Sequence, residues 1–279
     1  MVFSSVIFMF MYLPVVLLVY YIAPWKWRNI WLFVVNMLFY GWGEPVYIIL
    51  MVICITINYI NGILIDKYRD DNRKARLILV INVVINIGML VFFKYIDLII
   101  STLSMIPFLS WLEPIGVTLP IGISFYTFQT MSYPIDVYRG DAEAQPSCLN
   151  VLLYASLFHQ CVAGPIVRYK TIAHELFVVR DSRDILPGIS RFTVGLAKKT
   201  LLANPCGALA DQLLLTTDAA SNASLFSENL ASLSGLSALG AWVGVAAFMM
   251  QIYLDFPAYS HLALGMGRML GLHYLENFD

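Results

Sequence analysis

The sequence predicts an all-α polytopic membrane protein. Hydrophobic residues fill 59% of its 279 positions and charged residues only 13%, against about a quarter charged in soluble domains. Mean hydropathy is +0.74. Its apolar residues come in long runs, and a helix needs about 20 of them to cross roughly 30 Å of hydrocarbon.

The first run, Val2–Ala23, has no basic residue before it. It is longer than the 7–15 residues typical of a signal-peptide core, so it reads as a transmembrane helix. Ile30–Tyr40 is a short or tilted span that ends in a turn at Gly41-Trp42-Gly43-Glu44-Pro45. Pro45–Ile65 and Leu77–Ser101 are full spans. The loop between them, 66–76, carries Lys67, Arg69, Arg73, Lys74 and Arg76. By the positive-inside rule it faces the cytoplasm, with Lys26 and Arg28 inside and the N-terminus outside.

Val117–Tyr138 is a further span. Asn150–Val162 reaches only roughly 20 Å as a helix and stops at Ala163-Gly164-Pro165, which suits a segment that enters the membrane and turns back. Arg168, Lys170, Arg180 and Arg183 form a second cytoplasmic basic stretch. Ile185–Ala203 crosses outward, Asn204–Ser234 is an outside loop without a basic residue, and Leu236–Phe256 and Tyr259–Leu272 are the last apolar segments. The total is about eight transmembrane or partly inserted helices in a single membrane domain, 1–279, with no soluble domain. Gly240/Gly244 and Gly267/Gly271 have the spacing of close helix packing, within the chain or between copies.

Composition narrows the chemistry. Cys54, Cys148, Cys161 and Cys206 have no metal-ligand spacing and read as small apolar side chains, and no metal site is expected. No basic tail or basic-aromatic pattern points to nucleic acid. Intramembrane polar residues are costly and mark interhelical contacts or sites. Gln251 and Asp255 share a helix face just before Pro257, which is expected to break the helix. Gln129, Tyr133 and Asp136 share another, in a segment that Pro134 is expected to interrupt. Asn58/Asn61 and Asn82/Asn86 read as interhelical pairs. His159 and His261 have no Ser, Cys or carboxylate partner at suitable spacing. These features fit a membrane-embedded enzyme or a transporter.

Six blocks in order resemble the membrane-bound O-acyltransferase family, in its alginate O-acetyltransferase-like branch. They are Phe39-Tyr40-Gly41-Trp42-Gly43-Glu44-Pro45; Leu119-Pro120-Ile121-Gly122-Ile123-Ser124-Phe125-Tyr126-Thr127-Phe128-Gln129 with Ile135-Asp136-Val137-Tyr138-Arg139-Gly140; and Ala163-Gly164-Pro165-Ile166-Val167-Arg168-Tyr169. Arg191-Phe192 with Gly195-Leu196 and Lys198-Lys199 follows, then Gln251-Ile252-Tyr253-Leu254-Asp255-Phe256, and Gly265-Met266-Gly267-Arg268-Met269-Leu270-Gly271 with Glu276-Asn277-Phe278.

The resemblance implies a funnel of tilted helices. Through it an acyl group passes from a cytoplasmic thioester such as acetyl-CoA to a hydroxyl of an exported, alginate-like polysaccharide or to an acyl-relay protein. The family base is a histidine, expected beyond Asp279, so no catalytic residue is expected within this chain, which reads as the N-terminal portion of such an enzyme and as inactive alone. A catalytically inactive membrane scaffold is the alternative, and a transporter the third reading. The chain departs from the family at Pro257-Ala258 and at His261 and His159. Candidate funnel or substrate-binding residues are Gln129, Arg168, Gln251, Tyr253, Asp255, Tyr259 and Arg268.

Overall fold

The computed structural model describes residues 3–160, 167–176, 182–214, 230 and 235–278. Among them every regular element is helical. The expected turn at Ala163-Gly164-Pro165, Cys161, Arg180 and most of the outside loop, 215–229 and 231–234, lie outside the described residues.

Two compact units emerge, 1–183 with 270–275 and 184–269 with 276–279. The first holds α1 (Phe8–Ile22), α2 (Trp25–Gly43), α3 (Tyr47–Lys67), α4 (Asn72–Leu103), α5 (Ile123–Arg139), α6 (Cys148–Ser156) and α7 (Tyr169–Leu176). α1 opens with a π-helical turn, Phe8–Tyr12, just ahead of Pro14, which cannot donate to the preceding turn. α2 is longer than the expected Ile30–Tyr40. Gly41-Trp42-Gly43 continue it, and the chain turns only at Glu44. α3 and α4 are joined by Tyr68–Asp71, and most of the basic cluster expected in a loop lies on helix ends.

α4 shows how the bilayer shapes this unit. Its buried residues are Ala75, Asn82 and Asn86, while Leu77, Val84 and Leu98 are at least 60% exposed. A helix with amides inside and branched apolar side chains outside is inverted relative to water-soluble folds. Among the described residues three helices are long and apolar enough to cross a membrane, α3, α4 and Ala238–Met269; the chain is a membrane protein.

α5 starts later than the expected Val117, because Gly122 takes a left-handed conformation (φ 75°) at its N-cap. The residues before it are held differently: the Asp97 carboxylate accepts from the backbone N–H groups of Ile115, Gly116 and Val117 at 2.8, 3.2 and 3.0 Å. Pro134 does not interrupt α5. α5 packs on α3 where Gly62 meets the Tyr133 ring, so close that a Cβ on Gly62 would fall 2.3 Å from Tyr133 Cε1.

In the second unit α8 (Ile185–Ala197), a π-helical segment (Lys198–Ala203) and α9 (Asn204–Leu213) form one helical run. The expected crossing segment thus extends ten residues into what read as loop. α10 (Ala238–Met269) packs along all three. It passes straight through Pro257, so the two expected apolar segments are one helix. The helix is packed closely by its neighbour just after the proline. A Cβ on Gly195 would meet Ala258 O at 2.8 Å, and one on Gly188 would meet Gly265 O at 2.8 Å. Helix neighbours of this kind tolerate a membrane proline. Gly244 abuts Leu213 and Leu214, but Gly271 lies past the helix with φ 73°, so Gly267/Gly271 is not a helix-packing pair.

Candidate functional site

In the first unit a buried polar ladder runs along α5. The Gln129 amide donates to Gln160 Oε1 at 2.6 Å and to Tyr154 O at 3.1 Å. Tyr154 Oη donates to Val167 O at 2.7 Å. Tyr133 Oη accepts from Gln145 N, and Asp136 Oδ2 from Lys170 N. The shared face of Gln129, Tyr133 and Asp136 is therefore real, and it ties α5 to the turn after α6 and to α7. His159, fully buried, meets Tyr274 Oη at 2.5 Å. The tail bearing Tyr274 is pinned twice more, by Tyr20 Oη to Leu270 O and by Glu175 to the backbone N–H and ring of His273. Arg168, at the start of α7, is exposed.

A cavity of about 490 Å³ opens beside this ladder, lined by Arg69, Asp141, Glu143, Tyr169, Lys170 and His174 among others. Its fixed charges balance, Arg69 and Lys170 against Asp141 and Glu143. Lys170 Nζ donates to Asp141 at 2.8 Å and holds that carboxyl below the usual carboxylate range. A depressed carboxyl contributes stability above its unfolded pKa and loses it as pH falls through the folded value. The Lys170–Asp141 contact is therefore expected to persist from neutral pH down to about 4 and to open below that. Hydrogen exchange over 169–176 read against pH checks this, and Asp141→Asn should remove the dependence.

The second unit carries the stronger concentration of charge. The π-helical widening presents Lys198 and Lys199 to α10, and such widenings recur at functional sites. Lys199 Nζ is 2.5 Å from Asp255 Oδ1 and lies 5.0 Å over the Tyr259 ring. Lys198 Nζ is 3.1 Å from His261 Nε2. Arg191 grips Glu276 with two guanidinium nitrogens, which holds the Glu276 carboxyl below its ordinary value. The Gln251 amide lies on Gly207, where a Cβ would come within 2.7 Å of Nε2. Tyr253, on the opposite face from Asp255, is 70% exposed.

No family model matches the chain. Curated relatives do, along its whole length. A probable alginate O-acetylase of Pseudomonas aeruginosa is 33% identical over 283 residues, covering 100% of this chain and 51% of the relative. Its counterpart in Azotobacter vinelandii is 32% identical over 283 residues, covering 100% of this chain and 53% of the relative. A peptidoglycan O-acetyltransferase of Helicobacter pylori is 27% identical over 310 residues, covering 99% of this chain and 55% of the relative. Along its whole length the chain thus resembles relatives of the membrane-bound O-acyltransferase family. It spans about half the length of the curated relatives it matches.

Among the candidate residues, Asp255 and Tyr259 meet around Lys199, while Arg268 lies within electrostatic reach of Glu276. Gln129 and Arg168 belong to the other unit. Lys198, Lys199, Arg191 and Glu276 make the charged contacts described in the second unit, and their roles were not legible in the family blocks that contain them. Charges interrupting a long apolar helical run were the available signal. Gln160 and Tyr274 had none, since each partner lies far away in sequence.

Proposed function

We propose that this chain forms the membrane-embedded N-terminal portion of an O-acyltransferase that moves acetyl groups onto hydroxyls of an exported polysaccharide. The whole-length similarity to relatives named for O-acetylation of alginate and of peptidoglycan carries this reading. The polar contacts of Lys198, Lys199 and Asp255 between helices of the second unit support it. The donor is a thioester such as acetyl-CoA, reached from the cytoplasmic side, and the acceptor is the polysaccharide or an acyl-relay protein. The chain crosses the inner membrane in about eight transmembrane or partly inserted helices, with the N-terminus outside and 66–76 inside, around a funnel.

In the transfer, the acceptor oxygen attacks the thioester carbonyl, the C–S bond breaks, and the thiolate leaves as the ester forms. The hydroxyl proton passes to a general base. An imidazole suits that task near neutral pH, and the family histidine is expected beyond Asp279.

The test uses cells that lack their own O-acetylase and measures acetate released by base from the exported polysaccharide. The 279-residue chain alone is expected to transfer none. The chain fused to the C-terminal half of the Pseudomonas aeruginosa relative is expected to restore acetylation, and Asp255→Asn in that fusion to lower it about tenfold or more, since Lys199 then loses its charged partner. A folded fusion that restores nothing sinks the reading in favour of an inactive scaffold.

A further inference from the structure

Among the described residues the α8–α10 pair carries more positive than negative charge, and the excess sits on side chains that have no ion-pair partner. Two ion pairs are balanced, Arg191 with Glu276 and Lys199 with Asp255. Lys198 is not. It donates to His261 Nε2 at 3.1 Å, and an imidazole nitrogen accepts only while it carries no proton, so this contact supplies no negative charge. Arg268, in the last turn of α10, makes no hydrogen bond or ion pair among the described residues.

These groups share one neighbourhood. Lys198, Arg191 and Glu276 all act electrostatically on His261, and Arg268 acts on Glu276. Among the described residues Arg191, Lys198 and Arg268 thus stand against one acid, Glu276. Two further atoms there, Arg191 Nε and His261 Nδ1, are buried and have no hydrogen-bond partner. Unmatched charge on membrane helices is expensive, and an anion offsets it. Guanidinium and ammonium groups in combination suit a tetrahedral oxyanion, with the arginine fork giving direction and the lysine a point charge.

We propose that Arg191, Lys198 and Arg268 form a binding site for a phosphate-bearing anion. Its two sources are the nucleotide phosphates of a thioester donor such as acetyl-CoA and the headgroup of an anionic phospholipid. The first source rests on the proposed acyl transfer and places the donor's phosphates along the α8–α10 pair, beside His261 and Glu276. The second requires no transfer.

The experiment uses the purified 279-residue chain in phosphatidylcholine nanodiscs, with radiolabelled coenzyme A as probe and pantetheine, which lacks the nucleotide phosphates, as control. Coenzyme A is expected to bind and pantetheine not to bind. The Lys198→Gln/Arg268→Gln variant should weaken coenzyme A about tenfold or more, since each charge-assisted hydrogen bond lost costs about 1.5–3 kcal/mol. Lys198→Arg should retain binding, which guards against a folding defect. If coenzyme A does not bind but phosphatidylglycerol stays with the protein through purification and is lost from the double variant, the site stands with a lipid occupant. If neither probe responds to Lys198 and Arg268, the proposal is overturned. Acetylation by the fusion without probe binding would remove this site and leave the transferase reading; probe binding without acetylation would do the reverse.

Discussion

Gly265→Val is expected to prevent α8 and α10 from closing and to cause the largest single loss of stability in the second unit. A Cβ on Gly265 would fall 2.6 Å from Phe192 N, 2.8 Å from Gly188 O and 2.9 Å from Phe192 Cα. All three are backbone atoms, so no rotamer change relieves the clash. The helices must separate, and the dispersion contacts along the crossing are lost with them. Overpacking costs about 1–3 kcal/mol where neighbours can adjust, and the loss here should reach the top of that range or pass it. Lys199 should also lose its hold on Asp255, because the same helix pair sets that distance. Thermal unfolding in detergent checks the first expectation. Gly88→Ala is the control: nothing lies within 4 Å of its Cβ position, and removing a mid-helix glycine should add about 0.5–1 kcal/mol. Equal melting of Gly265→Val and the unmodified chain would show that the two helices are not in contact there.

Asn58→Leu is expected to loosen α3 from α4. Asn58 Nδ2 donates to Cys54 O and to Asn86 Oδ1, both at 2.9 Å, while Asn58 Oδ1 accepts from Asn82 Nδ2 at 3.0 Å and Asn86 Nδ2 at 3.3 Å. All three asparagines are at most 1% exposed. Removing the central amide takes the described partner of Asn82 Nδ2 and leaves Asn86 with Asn82 and Cys54 alone, and a buried group without its partner costs about 1–3 kcal/mol. Replacing all three asparagines by leucine should recover much of that loss, because no polar group is then left unsatisfied. Asn61→Leu should be nearly silent by comparison, since the Asn61 amide bonds only Ile57 O of its own helix among the contacts described. Unfolding of the four proteins in detergent orders them. A triple variant weaker than Asn58→Leu would contradict this account.

The same asparagines show what could be read before the fold was known. Asn58, Asn82 and Asn86 stood out because an amide inside an apolar run needs a partner, and the helical period put Asn82 and Asn86 on one face. That argument succeeded for these three and overreached for Asn61. The prolines went the other way. Pro134 and Pro257 break helices in isolation, and each lies inside a continuous helix here. Propensity describes one segment in solvent, whereas Gly188 and Gly195 bring a neighbouring backbone against α10 on the C-terminal side of Pro257. The close-packing glycines were missed for the same reason: Gly188, Gly195 and Gly265 form a contact only when two helices far apart in the chain lie together. The Lys199–Asp255 and His159–Tyr274 contacts span 56 and 115 residues and follow no period that one segment could carry.

By itself, the sequence determined the membrane class, the positions of α3 and α4, the inward-facing amides and the family blocks, because each depends on local composition or helical period. Only the tertiary structure decided that α10 is one helix, that a π-helical turn offers two lysines to it, and that Arg191, Lys198 and Glu276 gather around His261. Those facts depend on which helices meet and in what register, and that is set by small residues and charges whose partners lie tens of residues away.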